Sequence, residues 1–117
     1  MKNLILILLF SLTIISCNKT NETPLLLPIA AEPSAKLHNN KGIGYFNHGK
    51  YLEALIQFTQ ASVADSTTGE IYFNLGLMQH LKSNQEKAKN LFKKARQFAN
   101  GNKKILGSTL IKKHLDP

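Results

Sequence analysis

The chain has 117 residues, of which 43% are hydrophobic, with one cysteine, no tryptophan and a formal net charge of +8. This length accommodates one small domain. A single cysteine excludes an internal disulfide and a multi-cysteine zinc site, so the fold must be stabilised by packing.

The beginning of the chain has the layout of a secretory signal. Lys2 is followed by an almost wholly apolar run from Leu4 to Ile15. As a helix this run of about 12 residues spans roughly 18 Å, which is shorter than the roughly 30 Å hydrocarbon core of a bilayer. We therefore predict a signal peptide over residues 1–16 and no stable transmembrane helix.

The last residues of this signal, Ile14-Ile15-Ser16-Cys17, resemble the lipobox of bacterial lipoproteins. In that family a small residue precedes a cysteine that is diacylated on sulfur before cleavage, although leucine is favoured where this chain has Ile14. The resemblance implies that Cys17 is lipidated and becomes the first mature residue. It also implies a bacterial cell envelope protein that is lipid-anchored to the inner or the outer membrane. An ordinary secretory signal with an incidental cysteine is the alternative.

Residues 17–34 are predicted to be a lipid-anchored tether. Three prolines, Pro24, Pro28 and Pro33, disfavour a regular helix and favour extended backbone. At about 3.1 Å per residue this tether would hold the domain up to roughly 50 Å from the lipid. Its apolar stretch, residues 24–31, has two interpretations. It rests against the bilayer or the outside of the domain, or it occupies a hydrophobic groove of its own domain or of a neighbour.

Residues 35–102 contain an internal repeat, whose second unit begins at residue 69. Shifting the first unit onto the second superposes Asn40 on Asn74, Gly42 on Gly76, Ala54 on Ala88, Phe58 on Phe92 and Ala61 on Ala95. Apolar residues recur three or four apart in each unit, and Gly49-Lys50 and Ser83-Asn84 interrupt the pattern. Each unit is therefore predicted to form two antiparallel helices. We expect these four helices over residues 37–48, 51–64, 70–82 and 85–99.

The two units, residues 35–68 and 69–102, resemble the tetratricopeptide repeat. The matching residues are Gly42, Tyr45, Gly49, Tyr51, Ala54, Phe58 and Ala61 in the first unit and Tyr72, Leu75, Gly76, Ala88, Phe92 and Ala95 in the second. His38, Gln79 and Gln85 stand where the family usually has bulky aromatic residues, and neither unit closes with a proline. The resemblance implies an all-α fold, a right-handed α-solenoid fragment of two helix-turn-helix repeats.

Residues 103–117 are predicted to form a C-terminal capping helix. Apolar residues lie on one face and lysines on the other, the apolar ones being Ile105, Leu106, Leu110, Ile111 and Leu115. Such arrays usually need about three units for stability. We therefore predict marginal stability, or burial of an open end by self-association or by a partner.

Charge is segregated along the chain. Residues 82–117 contain ten basic and two acidic residues, whereas residues 17–81 contain four basic and five acidic residues. The basic third is interpreted as a solvated face, or as a surface that attracts anionic lipid headgroups or an acidic partner. We do not predict nucleic acid as a partner, because export would separate the protein from it.

The sequence offers no catalytic constellation. The four histidines, His38, His48, His80 and His114, are scattered without the spacing of a zinc protease. We therefore expect neither an enzyme nor a metal or cofactor.

Tetratricopeptide arrays are protein-interaction scaffolds, so the resemblance implies a concave peptide-binding groove. By position it is lined by Asn39, Ile43, Phe46 and Asn47 from the first repeat and by Phe73, Leu77 and His80 from the second. Such a surface suits an extended or helical peptide with hydrophobic anchors, with Phe46 and Phe73 as the main contacts. The alternative is that these two rings pack against the terminal helix or the apolar tether.

Together these features predict a membrane-anchored interaction module or scaffold with a protein or peptide partner. The alternative is a structural or regulatory subunit that forms a homo-oligomer or pairs with another repeat protein.

Overall fold

The protein is described by a computed structural model over residues 20–117, and the predicted signal peptide and Cys17 lie outside this range. The described residues form six helices, α1 (Pro33–Asn47), α2 (Tyr51–Ala64), α3 (Gly69–Leu81), α4 (Gln85–Gln97), α5 (Lys103–Leu106) and α6 (Thr109–Leu115). Helix α1 packs with α2 and α3 with α4, while α2 lies against α3 and α6 against α4. The predicted all-α, repeat-like fold is confirmed. Over residues 20–117 no helix is long and apolar enough to cross a membrane.

Both helix pairs are held by the same close contact, a glycine beneath a phenylalanine ring. A Cβ atom on Gly42 would lie 2.5 Å from Cε1 of Phe58, and one on Gly76 would lie 2.6 Å from Cε1 of Phe92. Both rings are fully buried. Because glycine has no side chain, each ring rests directly on the backbone of the facing helix, and the period of the sequence is repeated in the packing.

The turns within the two pairs are also equivalent. Gly49 has φ 71° and Ser83 has φ 62°, so both adopt the left-handed conformation. The N–H of Gly49 donates to the carbonyl of Phe46 at 2.9 Å, and the N–H of Ser83 donates to the carbonyl of His80 at 3.0 Å. These turns end α1 and α3 where the interruption of the apolar pattern predicted them.

The first helix begins at Pro33, four residues before the predicted start. Proline is well suited to the first helical position, because its missing N–H has no partner there in any case. The side chain of Glu32 accepts a hydrogen bond from the N–H of Ser34 at 3.4 Å and so caps the helix.

Two helices stand where one C-terminal helix was predicted. The N–H of Gly107 donates to the carbonyl of Lys103 at 2.8 Å and ends α5. The hydroxyl of Ser108 then accepts from the N–H of Ile111 at 3.1 Å and caps α6. Of the residues on the predicted apolar face, Ile111 is buried, whereas Leu106 is half exposed.

Helix α3 occupies the centre of the fold. Every residue of it from Gly69 to His80 is buried, whereas α1 and α2 each bury a single stripe. Two of the fully buried side chains are polar, Asn39 on α1 and Asn74 on α3. A buried amide needs hydrogen-bond partners, and the partners of these two side chains include the backbone of Leu25.

Candidate functional site

The chain's own residues 20–31, here called the docked segment, lie alongside α1 and α3, and Leu25 and Leu27 occupy the groove there. The docked segment has no helix, and its leucines alternate in orientation. Leu25 and Leu27 pack against the core, whereas Leu26 is 71% exposed. Of the two interpretations of the apolar stretch, the structure therefore supports contact with a groove of its own domain. Residues 20–31 therefore do not form part of a fully extended tether while they are docked.

Two buried asparagines bind the backbone of the docked segment. Oδ1 of Asn74 accepts from the N–H of Leu25 at 2.7 Å, and Nδ2 of Asn74 donates to the carbonyl of Leu25 at 2.9 Å. Nδ2 of Asn39 donates to the same carbonyl at 2.9 Å. The two side chains are joined because Nδ2 of Asn74 also donates to Oδ1 of Asn39 at 2.8 Å. This Asn39–Asn74 pair thus satisfies both backbone groups of one extended residue, whatever its side chain.

Polar contacts also hold the two ends of the docked segment. The Glu22 carboxylate accepts from the Ser108 hydroxyl at 2.6 Å and from the N–H of Leu110 at 2.8 Å, at the start of α6. At the other end, Nζ of Lys36 donates to the carbonyl of Ile29 at 2.9 Å. The segment is therefore fixed to the terminal helices, to the central asparagines and to α1.

The predicted groove residues of the first repeat have different environments. Asn39 is fully buried and contacts the docked segment directly. Ile43 and Phe46 are half-buried and pack against the core, and the Phe46 ring lies 5.4 Å from that of Tyr51 between centroids. Asn47 is exposed at the end of α1. Phe46 and Asn47 therefore remain reachable from solvent while the segment is docked.

The predicted groove residues of the second repeat are all buried. Phe73 is only 1% exposed and its ring lies 6.0 Å from that of Phe92, while Leu77 is fully buried. Phe73 therefore belongs to the core while the segment is docked, with its ring against Phe92 of α4. Its role as a main contact for a partner stays a prediction.

His80, the last predicted groove residue, joins α3 to α6. Its Nδ1 lies 2.9 Å from Nε2 of His114, and the two rings meet edge to face. Burial lowers the pKa of His80, and burial followed by the neighbouring His80 lowers the pKa of His114. In the part of the chain that the structure describes, no group of three or more His, Cys, Asp or Glu side chains is placed to hold a metal ion.

Asn74 and Glu22 are the site residues that sequence reasoning did not assign. The repeat matches Asn74 with Asn40 of the first unit, whereas its partner in space is Asn39. The usable signal is an amide within the apolar run from Ile71 to Met78, because such a side chain must find buried partners. Glu22 carried no comparable signal, since an isolated glutamate in a proline-containing stretch is ordinary.

No protein-family model, curated protein or solved structure matches the chain. The case for a function therefore rests on the geometry of the groove and on the motifs of the sequence.

Proposed function

We propose that this protein is a lipid-anchored tetratricopeptide-repeat module of the bacterial cell envelope, whose groove binds an extended peptide segment of a protein partner. The observation that carries the proposal is the Asn39–Asn74 pair, which hydrogen-bonds the N–H and the carbonyl of Leu25. The lipobox-like residues that end at Cys17 support the lipid anchor. The period of the sequence and the matched glycine–phenylalanine contacts support the repeat assignment.

The docked segment indicates what kind of peptide fits. Backbone recognition by the asparagines is independent of sequence, whereas Leu25 and Leu27 insert two apolar side chains at alternate positions of the chain. The partner is therefore an extended stretch with two such anchors and a solvent-facing residue between them. Because the chain's own segment competes at an effective concentration of the order of millimolar, a partner binds only by displacing it.

Binding of a labelled peptide tests this proposal. The probe is a synthetic peptide of residues 20–31, and the receptor is the full chain in detergent with Leu25→Ser and Leu27→Ser, which weakens the internal competitor. We expect fluorescence anisotropy to show saturable binding to this double variant. Adding Asn39→Ala and Asn74→Ala should weaken binding about tenfold or more, because the buried amide contacts are lost.

Leu26→Ser is the matched control, because Leu26 faces solvent and its replacement should leave the groove closed like that of the unmodified chain. Equal binding to the double variant with and without Asn39→Ala and Asn74→Ala would contradict the proposed site. In cells, a photocrosslinker at the exposed Asn47 of the double variant would then identify the partner.

The anchor is tested separately. The mass of the mature amino-terminal peptide should include acyl chains on Cys17, and Cys17→Ser should abolish this modification and release the protein from sedimented membranes. Separation of inner from outer membranes then assigns the location. An unmodified Cys17 in membrane fractions would contradict lipid anchoring.

Self-association is a second candidate function, supported by the open end of the array. Leu37 on α1 is 55% exposed, whereas Ile71, its equivalent in the second repeat, is fully buried on α3. Helix α3 is covered by α2, but α1 has no preceding helix among the described residues. This candidate predicts a mass in solution that rises with concentration and that falls with Leu37→Gln. A constant monomer mass would exclude it.

A further inference from the structure

The last two helices are strongly basic. Lys103, Lys104, Lys112 and Lys113 are all exposed, and the sequence of α5 and α6 contains no acidic residue. We call these four residues the terminal lysine patch. The acidic residue that follows α6, Asp116, is paired through both carboxylate oxygens with Arg96, at 2.7 and 3.2 Å.

Two further carboxylates near this surface are engaged within the fold. Glu22 accepts from Ser108 and Leu110, and Oε1 of the buried Glu70 accepts from Nδ2 of Asn102 at 2.8 Å. Within residues 20–117, neither forms an ion pair with a lysine of the patch. The exposed Glu86 lines a depression with Lys89 and Lys113 and forms no salt bridge with them within residues 20–117. The four lysines therefore keep a net positive charge at the surface.

The docked segment enters the domain beside the terminal lysine patch. Residues 23–26 line one shallow depression together with Asn102, Lys103 and Lys104. Glu22, one residue earlier, is bonded to the start of α6, which carries Lys112 and Lys113. The point at which the chain reaches the domain thus lies beside α5 and α6.

Chain length then limits how far this surface lies from an anchor at Cys17. Only residues 18 and 19 stand between Cys17 and Thr20, the first described residue. At no more than about 3.6 Å per residue, these three peptide steps cover at most about 11 Å. The point where the chain meets α5 and α6 is therefore held near the bilayer surface, and the exposed lysines of these helices can approach the headgroups to within the Debye length of about 8 Å at physiological salt.

We infer that the terminal lysine patch lies on anionic lipid headgroups and orients the anchored domain with its first repeat away from the bilayer. This inference rests on the proposed lipid anchor. Docking of residues 20–31 is essential to it, because a free tether would allow the patch to leave the surface. Each lysine near an anionic membrane strengthens attachment by about fivefold, so four lysines suffice to fix the orientation.

Lysine reactivity on vesicles tests the inference. The full protein, extracted from membranes, is reconstituted on vesicles of phosphatidylcholine alone or with phosphatidylglycerol, and a water-soluble acetylating reagent marks accessible amines. We expect the four patch lysines to react about fivefold or more slowly on the anionic vesicles. Lys41 and Lys50, exposed in the first repeat, are the internal controls and should react equally on both. Molar salt should remove the protection.

Paired variants sharpen the result. Lys103→Gln with Lys104→Gln should reduce the protection of Lys112 and Lys113, whereas Lys41→Gln with Lys50→Gln should not. Equal reactivity on the two kinds of vesicle, or equal protection of the controls, would overturn the inference. Protection in native membranes that is absent on anionic vesicles would also overturn it and would indicate an acidic protein partner.

The same samples separate this inference from the proposed anchor. The mass of the Cys17 peptide reports acylation independently of lysine reactivity. An unmodified Cys17 with salt-sensitive protection on anionic vesicles refutes the anchor and retains the lipid-binding patch. An acylated Cys17 without protection retains the anchor and refutes the patch.

Discussion

Replacement of Asn74 by alanine tests whether the docked segment is held by the buried amide pair. Asn74 makes three hydrogen bonds, two with the backbone of Leu25 and one with Asn39, at 2.7 to 2.9 Å. In Asn74→Ala the N–H of Leu25 and Oδ1 of Asn39 lose their partners. Each hydrogen bond contributes about 1 kcal/mol net, and leaving a buried polar group without a partner costs about 1–3 kcal/mol. The free energy of docking should therefore become less favourable by about 3 kcal/mol.

That loss corresponds to an increase of about a hundredfold in the opening equilibrium of the segment. Hydrogen exchange at the Leu110 amide measures it, because this N–H donates to the Glu22 carboxylate of the docked segment and the substitution leaves that acceptor in place. Asn40→Ala is the matched control, since Asn40 is an exposed asparagine next to Asn39 on the same helix. It should leave exchange at Leu110 unchanged.

Two results would refute this reasoning. Rapid exchange at Leu25 in the unmodified chain would mean that the segment is not docked in solution. A uniform loss of protection across α2 and α4 in Asn74→Ala would mean that Asn74 supports the whole fold and not the segment in particular.

Further predictions concern packing and pH. Gly76→Ala should lower stability by about 1–3 kcal/mol, because its Cβ would lie 2.6 Å from Cε1 of Phe92. Gly44→Ala, a helical position with nothing within 4 Å, should instead raise the melting temperature, and a loss there equal to that of Gly76→Ala would contradict the packing explanation. The pKa values of His80 and His114 are lowered in the folded chain. As pH falls below about 6.5, these histidines therefore bind protons more readily in the unfolded chain than in the folded one. Stability in denaturant titrations should therefore decrease from pH 7 to 5, and His114→Gln should flatten this dependence.

The amino-acid sequence by itself determined the helical repeat. The spacing of apolar residues and the residues that form the turns each involve only a short stretch of chain. Both can therefore be recognised from the sequence of that stretch. The pairs Gly42 with Phe58 and Gly76 with Phe92 combine the smallest residue with a large ring within one unit, and their recurrence at equivalent positions of the two units predicted the stacking of equivalent helix pairs. Predicted helix boundaries agree with the structure within two residues for the four repeat helices, apart from the early start of the first helix, whereas the single C-terminal helix is divided into two.

Only the tertiary structure decided what occupies the groove and what holds the docked segment at the start of the terminal helix. An extended stretch with alternating leucines fits a bilayer, a neighbour or its own domain equally well by composition. The choice depends on Asn39 and Asn74, which lie 14 and 49 residues from Leu25 and meet it only after the helices have packed. Glu22 likewise accepts from the Ser108 hydroxyl, 86 residues later, only once the chain has folded. The periodicity of nearby residues does not predict such pairings. These hydrogen bonds stabilise the fold because their groups are buried, and the groups become buried only when the helices pack together.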